Sequence, residues 1–194
     1  GLFAQLSCTG LPTLTIHYPM QSITLIGYMC VGKTTIGKAL AKELGLVFYD
    51  LDWYIEERFH TKVAKIFAEE GEARFRDLER RMLHEVAEFE NIVLSCGGGT
   101  PCHFDNMDYL NTVSQTCYLQ ASPETILQHL SMSRGERPLL RGKTPDELRT
   151  FVTAQLAERR PFYEKARHTI GVDVLDSFDK IHLVTDQIKQ TLSL

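Results

Sequence analysis

Residues Gly27 to Thr34 read GYMCVGKT, which fits the pattern G-x-x-x-x-G-K-[ST], and they follow the apolar run SITLI. Strand, glycine-bounded loop and helix start, in that order, are what a phosphate cradle requires. The glycines let the chain turn tightly and bring backbone N–H groups close to phosphate oxygens. The residues after Lys33, TTIGKALAKEL, have the composition and apolar spacing of a helix whose positive N-terminus would face the same anion. Within this pattern Lys33 is placed to reach the β- and γ-phosphates of a nucleotide, and the Thr34 hydroxyl to hold Mg²⁺.

The chain has 194 residues, 43% hydrophobic and 24% charged, enough to bury a substantial core as one domain. Net charge is −4, and the nearest basic cluster, SRGERPLLRGK, is interrupted by glycine and proline, so nucleic-acid binding is not expected. No apolar run is long enough for a membrane span. Five cysteines, with no C-x-x-C and no zinc-type spacing, suit a reducing cytoplasm better than a disulfide framework. The adjacent Cys102 and His103 are expected in a turn or a structural role. Cys30 stands inside the phosphate loop, where a thiol open to oxidation would block the site. The first stretch lacks Lys and Arg and does not read as a signal peptide. Met20 is expected at or near the natural start, with residues 1–19 an appended or variable extension outside the fold.

Along the chain, Gly45 ends a helix from Lys33 to Leu44, and LVFYD reads as a second buried strand closing on Asp50. LDWYIEERFH reads as helical. VAKIFAEEG and EARFRDLERRMLHEVAEFE then carry apolar residues at helical spacing, with Phe67, Phe75, Leu78, Met82, Val86 and Phe89 as face-formers. NIVLS is a third strand running into Gly97, Gly98 and Gly99, a helical stretch near 105–110 follows, and QTCYLQ is a fourth strand. SPETILQHLSM is a helix capped by Ser122, and TPDELRTFVTAQLAERRPFYEKA another capped by Thr144, which Pro161 should end or kink. HTIGVDV is a fifth strand and SFDKIHLVTDQIKQTL a last helix. Short buried strands alternating with helices predict an α/β fold, three-layer α/β/α around a five-stranded parallel sheet, with ligands at the strands' carboxyl ends. The domain is expected over 20–194, with a helical segment at about 51–90 and a mobile lid at about 131–144.

Asp50 closes its strand as a metal-holding acid would. Asp52 lies two residues on, and if the chain is still extended there it points the same way. It could accept a proton from a substrate hydroxyl or aim its oxygen; equally, it could cap the helix that follows. The three glycines would let a ligand lie against bare backbone amides, or form a flexible turn. No N-K-x-D appears to read guanine, which excludes a GTPase reading. The arginine-rich loop suggests a lid over ATP, or else a solvated surface loop.

GYMCVGKTT, FYDLD, GEARFRDLE, LSCGGGT, ERPLL and ERRPFYEKA, in this order and spacing, closely resemble shikimate kinases, from about Ser22 to Leu192. The resemblance implies the phosphate-loop kinase type of fold and transfer of the ATP γ-phosphoryl group to the 3-hydroxyl of shikimate, on the way to the aromatic amino acids. It implies that Lys33 and the amides of Cys30, Val31, Gly32, Thr34 and Thr35 hold ATP phosphates, with Thr34 and Asp50 serving Mg²⁺. Asp52 would bind shikimate hydroxyls and act as base or orienter, Arg76 and Arg159 would grip the carboxylate, and Gly97, Gly98 and Gly99 would close the pocket. Glu79, one helical turn from Arg76, would orient that arginine or bind substrate. Phe67 and Phe75 would line the pocket or fill the core. Arg137 matches the lid arginine beside the transferring phosphate and ATP.

The chain departs from the usual pattern around the adenine. HLSMS stands where an arginine is often found before R-P-L-L, and the junction near Asp176 lacks a basic residue. Partners are expected to be shikimate and ATP alone, with the protein a monomer. A gluconate kinase would share the phosphate loop and lid but not the Asp-x-Asp, F-R-x-x-E and triple-glycine set. A non-catalytic ATP-binding module would have no need for Asp52, Arg76 and Arg159 together.

Overall fold

The computed structural model describes residues 22–133, 141–174 and 178–194. The expected extension 1–19 and the central part of the expected lid, Arg137 included, lie outside these residues. Five strands, β1 (Ile23–Ile26), β2 (Val47–Asp50), β3 (Ile92–Ser95), β4 (Gln115–Gln120) and β5 (His168–Gly171), form one sheet in the order β2-β3-β1-β4-β5. Every pairing is parallel, as the strand and helix alternation predicts. All residues of β1 and β3 are buried, so helices cover the sheet on both faces.

The helices are α1 (Lys33–Leu44), α2 (Leu51–Phe59), α3 (Val63–Ala87), α4 (Asn106–Val113), α5 (Pro123–Met132), α6 (Pro145–Tyr163) and α7 (Ile181–Leu192). α1 and α7 pack together, α3 packs on α2 and α4, and α5 packs on α6. Among the described residues no helix is long and apolar enough to cross a membrane.

Register decides where the loops emerge. Ser95 of β3 pairs with Leu25 of β1 on one side and with Asp50 of β2 on the other. Three consecutive strands therefore end at nearly one level, and the phosphate loop, the glycine triplet and the Asp50 corner leave the sheet side by side. A 3₁₀ turn, Thr100–Cys102, follows the glycines directly, and both α3 and α6 rest on it.

Several expectations need correction. β2 is an edge strand, not a buried one: Val47 is 56% exposed and its neighbours are half-buried. An apolar run of this length looks the same at a sheet edge and in its centre. Pro161 does not stop α6, which runs two residues further to Tyr163 before it ends, although the proline has no N–H to donate to the carbonyl four residues back. Phe89 lies beyond the end of α3, where it packs on Tyr49 at a centroid distance of 5.3 Å instead of forming part of the helix face.

α3 carries an interruption the periodicity does not reveal. Gly71 has φ 81° and ψ 168°, in a region open essentially to glycine, and a side chain there would meet only open space. The kink separates the turn bearing Phe67 from the one bearing Phe75 and Arg76. Because nothing would clash, Gly71→Ala tests conformation alone: it should destabilise the protein by about 2 kcal/mol in urea denaturation. An unchanged midpoint would mean that α3 tolerates a straight path.

Candidate active site

The phosphate loop turns out of β1 and delivers Lys33 to the first turn of α1. No side chain caps this helix and no acidic residue occupies its first turn, so its leading N–H groups stay available to an anion. Lys33 is buried, and its ammonium donates to the carbonyls of Gly27 and Tyr28, both at 2.7 Å. Burial lowers its pKa to about 8, against the raising pull of nearby acidic groups including Asp52 and Asp50. Cys30, Gly32, Thr34 and Thr35 line the same cleft, whereas the Val31 side chain turns into the core and leaves only its main chain to serve a ligand.

Asp50 and Asp52 exchange one of the expected parts. α2 begins at Leu51, so the chain is already helical at Asp52, and it is Asp50 that caps the helix, accepting from the Trp53 amide at 3.2 Å. Its other oxygen accepts from the Thr34 hydroxyl at 3.0 Å. This hydroxyl and carboxylate, beside the open end of α1, are hard oxygen donors of the kind Mg²⁺ prefers, so the pair fits that ion. Asp52 still reaches the cleft. Burial, then the like charges of Asp50 and Glu79, raise its pKa to about 6, with Lys33 pulling the other way.

The glycine triplet gathers the remaining residues one by one. A methyl group on Gly97 would stand 3.3 Å from an Asp52 oxygen, on Gly98 3.1 Å from Arg159 Nη1, and on Gly99 2.5 Å from Arg76 Nη2. Each glycine thus makes room for one predicted substrate-binding side chain. Arg76 lies over the rings of Phe67 and Phe75, at 5.7 and 5.2 Å, and both rings line the cleft. Its Nη1 donates to Glu79 Oε1 at 2.9 Å, and Glu79 Oε2 accepts from the Thr100 hydroxyl at 2.8 Å. Burial raises the pKa of Glu79, while Arg76 and Thr100 oppose that. With both oxygens occupied, Glu79 holds the arginine.

Sequence reasoning misses three supporting residues. Thr100 anchors Glu79, Tyr163 donates to the Gly98 carbonyl at 2.6 Å, and Tyr28 lies beneath Arg159 at 5.6 Å. Thr100 follows the glycines and Tyr163 lies one turn past Arg159, but neither position names its partner. The cleft lined by Lys33, Asp52, Arg76, Glu79, Arg159 and the three glycines measures about 950 Å³, room for two small molecules end to end.

A main-chain phosphate cradle facing two guanidinium groups and the Asp52 carboxylate, in one cleft, defines a phosphoryl-transfer enzyme for a small anionic acceptor. The family model described as shikimate kinase matches residues 29–192. A shikimate kinase from Phocaeicola vulgatus is 49% identical over 174 residues, 90% of this chain and 99% of that relative. The crystal structure of shikimate kinase from Bacteroides thetaiotaomicron superposes with a TM-score of 0.87 at 47% identity, covering 90% of this chain and 99% of that one. Shikimate kinase from Acinetobacter baumannii in complex with shikimate gives 0.77 at 32% identity, covering 90% and 94%. The chain belongs to the shikimate kinase family.

The raised pKa of Asp52 carries a stability consequence. Between its unfolded value of 3.8 and about 6 the unfolded chain loses this proton before the folded one, so ionising Asp52 destabilises the fold as pH rises, and the cost is complete above about 6. Asp52→Asn removes that cost. Its stability relative to the parent should therefore be about 2 kcal/mol more favourable at pH 7 than at pH 4 in paired urea titrations. A difference independent of pH would show that the carboxyl is not held in a costly state.

Proposed function

We infer that the chain transfers the γ-phosphoryl group of ATP to the 3-hydroxyl of shikimate, giving shikimate 3-phosphate and ADP, a step of aromatic amino acid biosynthesis. One observation carries the reading: Asp52, Arg159 and Arg76 stand in order along Gly97, Gly98 and Gly99, in the cleft that Lys33 and the open end of α1 also face.

In the proposed mechanism the loop amides from Cys30 to Thr35 and the Lys33 ammonium take the ATP phosphates. Phosphate oxygens displace the Gly27 and Tyr28 carbonyls from Lys33, and their negative charge restores the full basicity that burial removes. Mg²⁺, held by Thr34 and Asp50, would neutralise phosphate charge. Arg76 and Arg159 take the shikimate carboxylate, since a guanidinium fork matches it bidentately. Gly97, Gly98 and Gly99 form the wall that lets the ring come close, and Glu79 serves by keeping Arg76 in place.

Asp52 then faces the acceptor hydroxyl. With a pKa near 6 it is ionised at neutral pH yet more basic than an ordinary aspartate, which suits a group that accepts a proton late in the reaction. The hydroxyl oxygen forms a bond to the γ-phosphorus, the bond from that phosphorus to the β–γ bridging oxygen breaks, and the hydroxyl proton passes to Asp52. ADP leaves with the bridging oxygen. Arg137, beyond the described residues, would add positive charge from the lid side. The protein is taken to work as a monomer in the cytoplasm, on these small molecules, with neither nucleic acid nor membrane. The free thiols of Cys30, Cys96, Cys102 and Cys117 accord with a reducing compartment.

A coupled assay with Mg²⁺ and ATP tests the reading: ADP should form with shikimate and not with gluconate. Turnover of gluconate alone, or ATP binding without turnover, would replace it. Arg76→Lys should raise the KM for shikimate roughly tenfold and leave that for ATP within about twofold, because lysine keeps a cation beside Glu79 but loses the fork. A rise confined to the KM for ATP would place Arg76 on the wrong substrate.

A further inference from the structure

Tyr28 follows Gly27 in the phosphate loop, at a position the motif leaves open to any residue. A loop that binds through main-chain groups has no need of an aromatic ring there. The residue is nevertheless 1% exposed, and each of its parts is engaged. Its carbonyl accepts from Lys33 Nζ at 2.7 Å. Its ring lies under the guanidinium of Arg159, 5.6 Å from centroid to Cζ. Its hydroxyl donates to Gln155 Oε1 at 2.6 Å. Gln155 precedes Arg159 by four residues on α6, so ring and hydroxyl touch successive turns of one helix face.

An arginine side chain is long, and it surrenders considerable rotamer freedom when it is fixed. Gly98 leaves Arg159 room, but room does not aim it; a flat aromatic face does. We propose that Tyr28 is a positioning residue that holds Arg159 in register with the phosphate loop, so that the acceptor carboxylate and the nucleotide are set at a fixed separation. The inference rests on the reading of Arg159 as a carboxylate partner. Tyr28 touches neither reacting atom, and its influence on the acceptor passes through the arginine.

Three variants separate its parts. Tyr28→Leu removes the ring, Tyr28→Phe only the hydroxyl, and Gln155→Leu the hydroxyl's acceptor, with Tyr28 intact. Initial rates at varied shikimate and varied ATP should show the KM for shikimate raised roughly tenfold by Tyr28→Leu. Tyr28→Phe and Gln155→Leu should each raise it roughly threefold, and the double variant no further than either alone. The KM for ATP should stay within about twofold throughout, because the loop's phosphate and lysine contacts are main-chain.

The deciding measurement adds Tyr28→Leu to an Arg159→Ala background, where it should cause no further loss in kcat/KM for shikimate. A purely structural tyrosine would instead lower thermal stability, raise both KM values and keep its full effect without Arg159. That result, or an unmoved KM for shikimate, overturns the proposal. If Tyr28→Leu does not fold, Tyr28→Phe and Gln155→Leu decide, and a KM for shikimate unchanged in both refutes it. Parent enzyme without turnover of shikimate sinks the functional reading and this one together; normal parent turnover with unmoved variants sinks only this one.

Discussion

A guanidinium nitrogen can approach within 2.5 Å of where a Cβ would stand only if that carbon is missing. The site depends on this at Gly99, and to a lesser degree at Gly98 and Gly97. Charged groups withdrawn from water need partners at close range, and any side chain on this wall would push Arg76, Arg159 or Asp52 outward. β3 supplies the wall because it lies between β1 and β2, so the glycines leave the sheet between the phosphate loop and the acid corner. The 3₁₀ turn that follows at Thr100–Cys102 seats α3 and α6, the two helices that bring the arginines back to the same wall.

The ligand-free cleft is an electrostatic compromise. Lys33 rests on carbonyls of its own loop with its pKa lowered to about 8, and Asp52 sits half-buried beside two other carboxylates with its pKa raised to about 6. Neither is where a solvated group would choose to be. In the proposed reaction substrates would relieve both strains, since phosphates would supply negative charge to the lysine and an acceptor hydroxyl would offer the carboxylate a donor. Glu79 is the contrast: it is more deeply buried but saturated by Arg76 and Thr100, so it has structural work to do and little chemistry left.

The fold and most of the site are legible in the amino-acid sequence because both rest on local patterns. Strand and helix periods alternate clearly, and Gly45, Ser122 and Thr144 mark helix ends by mechanisms that hold in the structure. The phosphate-loop pattern identifies Lys33 and Thr34, and the wider motif set brings in Asp52, Arg76, Glu79 and Arg159. What escapes is whatever depends on tertiary neighbours. Edge or centre is a property of strand order, which an apolar run such as LVFYD does not encode. Asp50, not Asp52, caps α2 because the helix starts at Leu51, two residues earlier than an extended Asp-x-Asp would allow. Thr100, Tyr163 and Tyr28 look like ordinary polar or aromatic residues until their partners, 21, 65 and 127 positions away, arrive.

The bare leading turn of α1 has a meaning beyond catalysis. α2, α5 and α6 finish their own ends with an aspartate, a serine and a threonine, whereas α1, at the mouth of the cleft, leaves that duty to a visitor. On the proposed reading, nucleotide in the cleft would be part of the secondary structure as well as a reactant, and by mass action each rise in its concentration would shift the population away from unfolded chains. Starvation for ATP would leave this protein idle and also easier to unfold and digest.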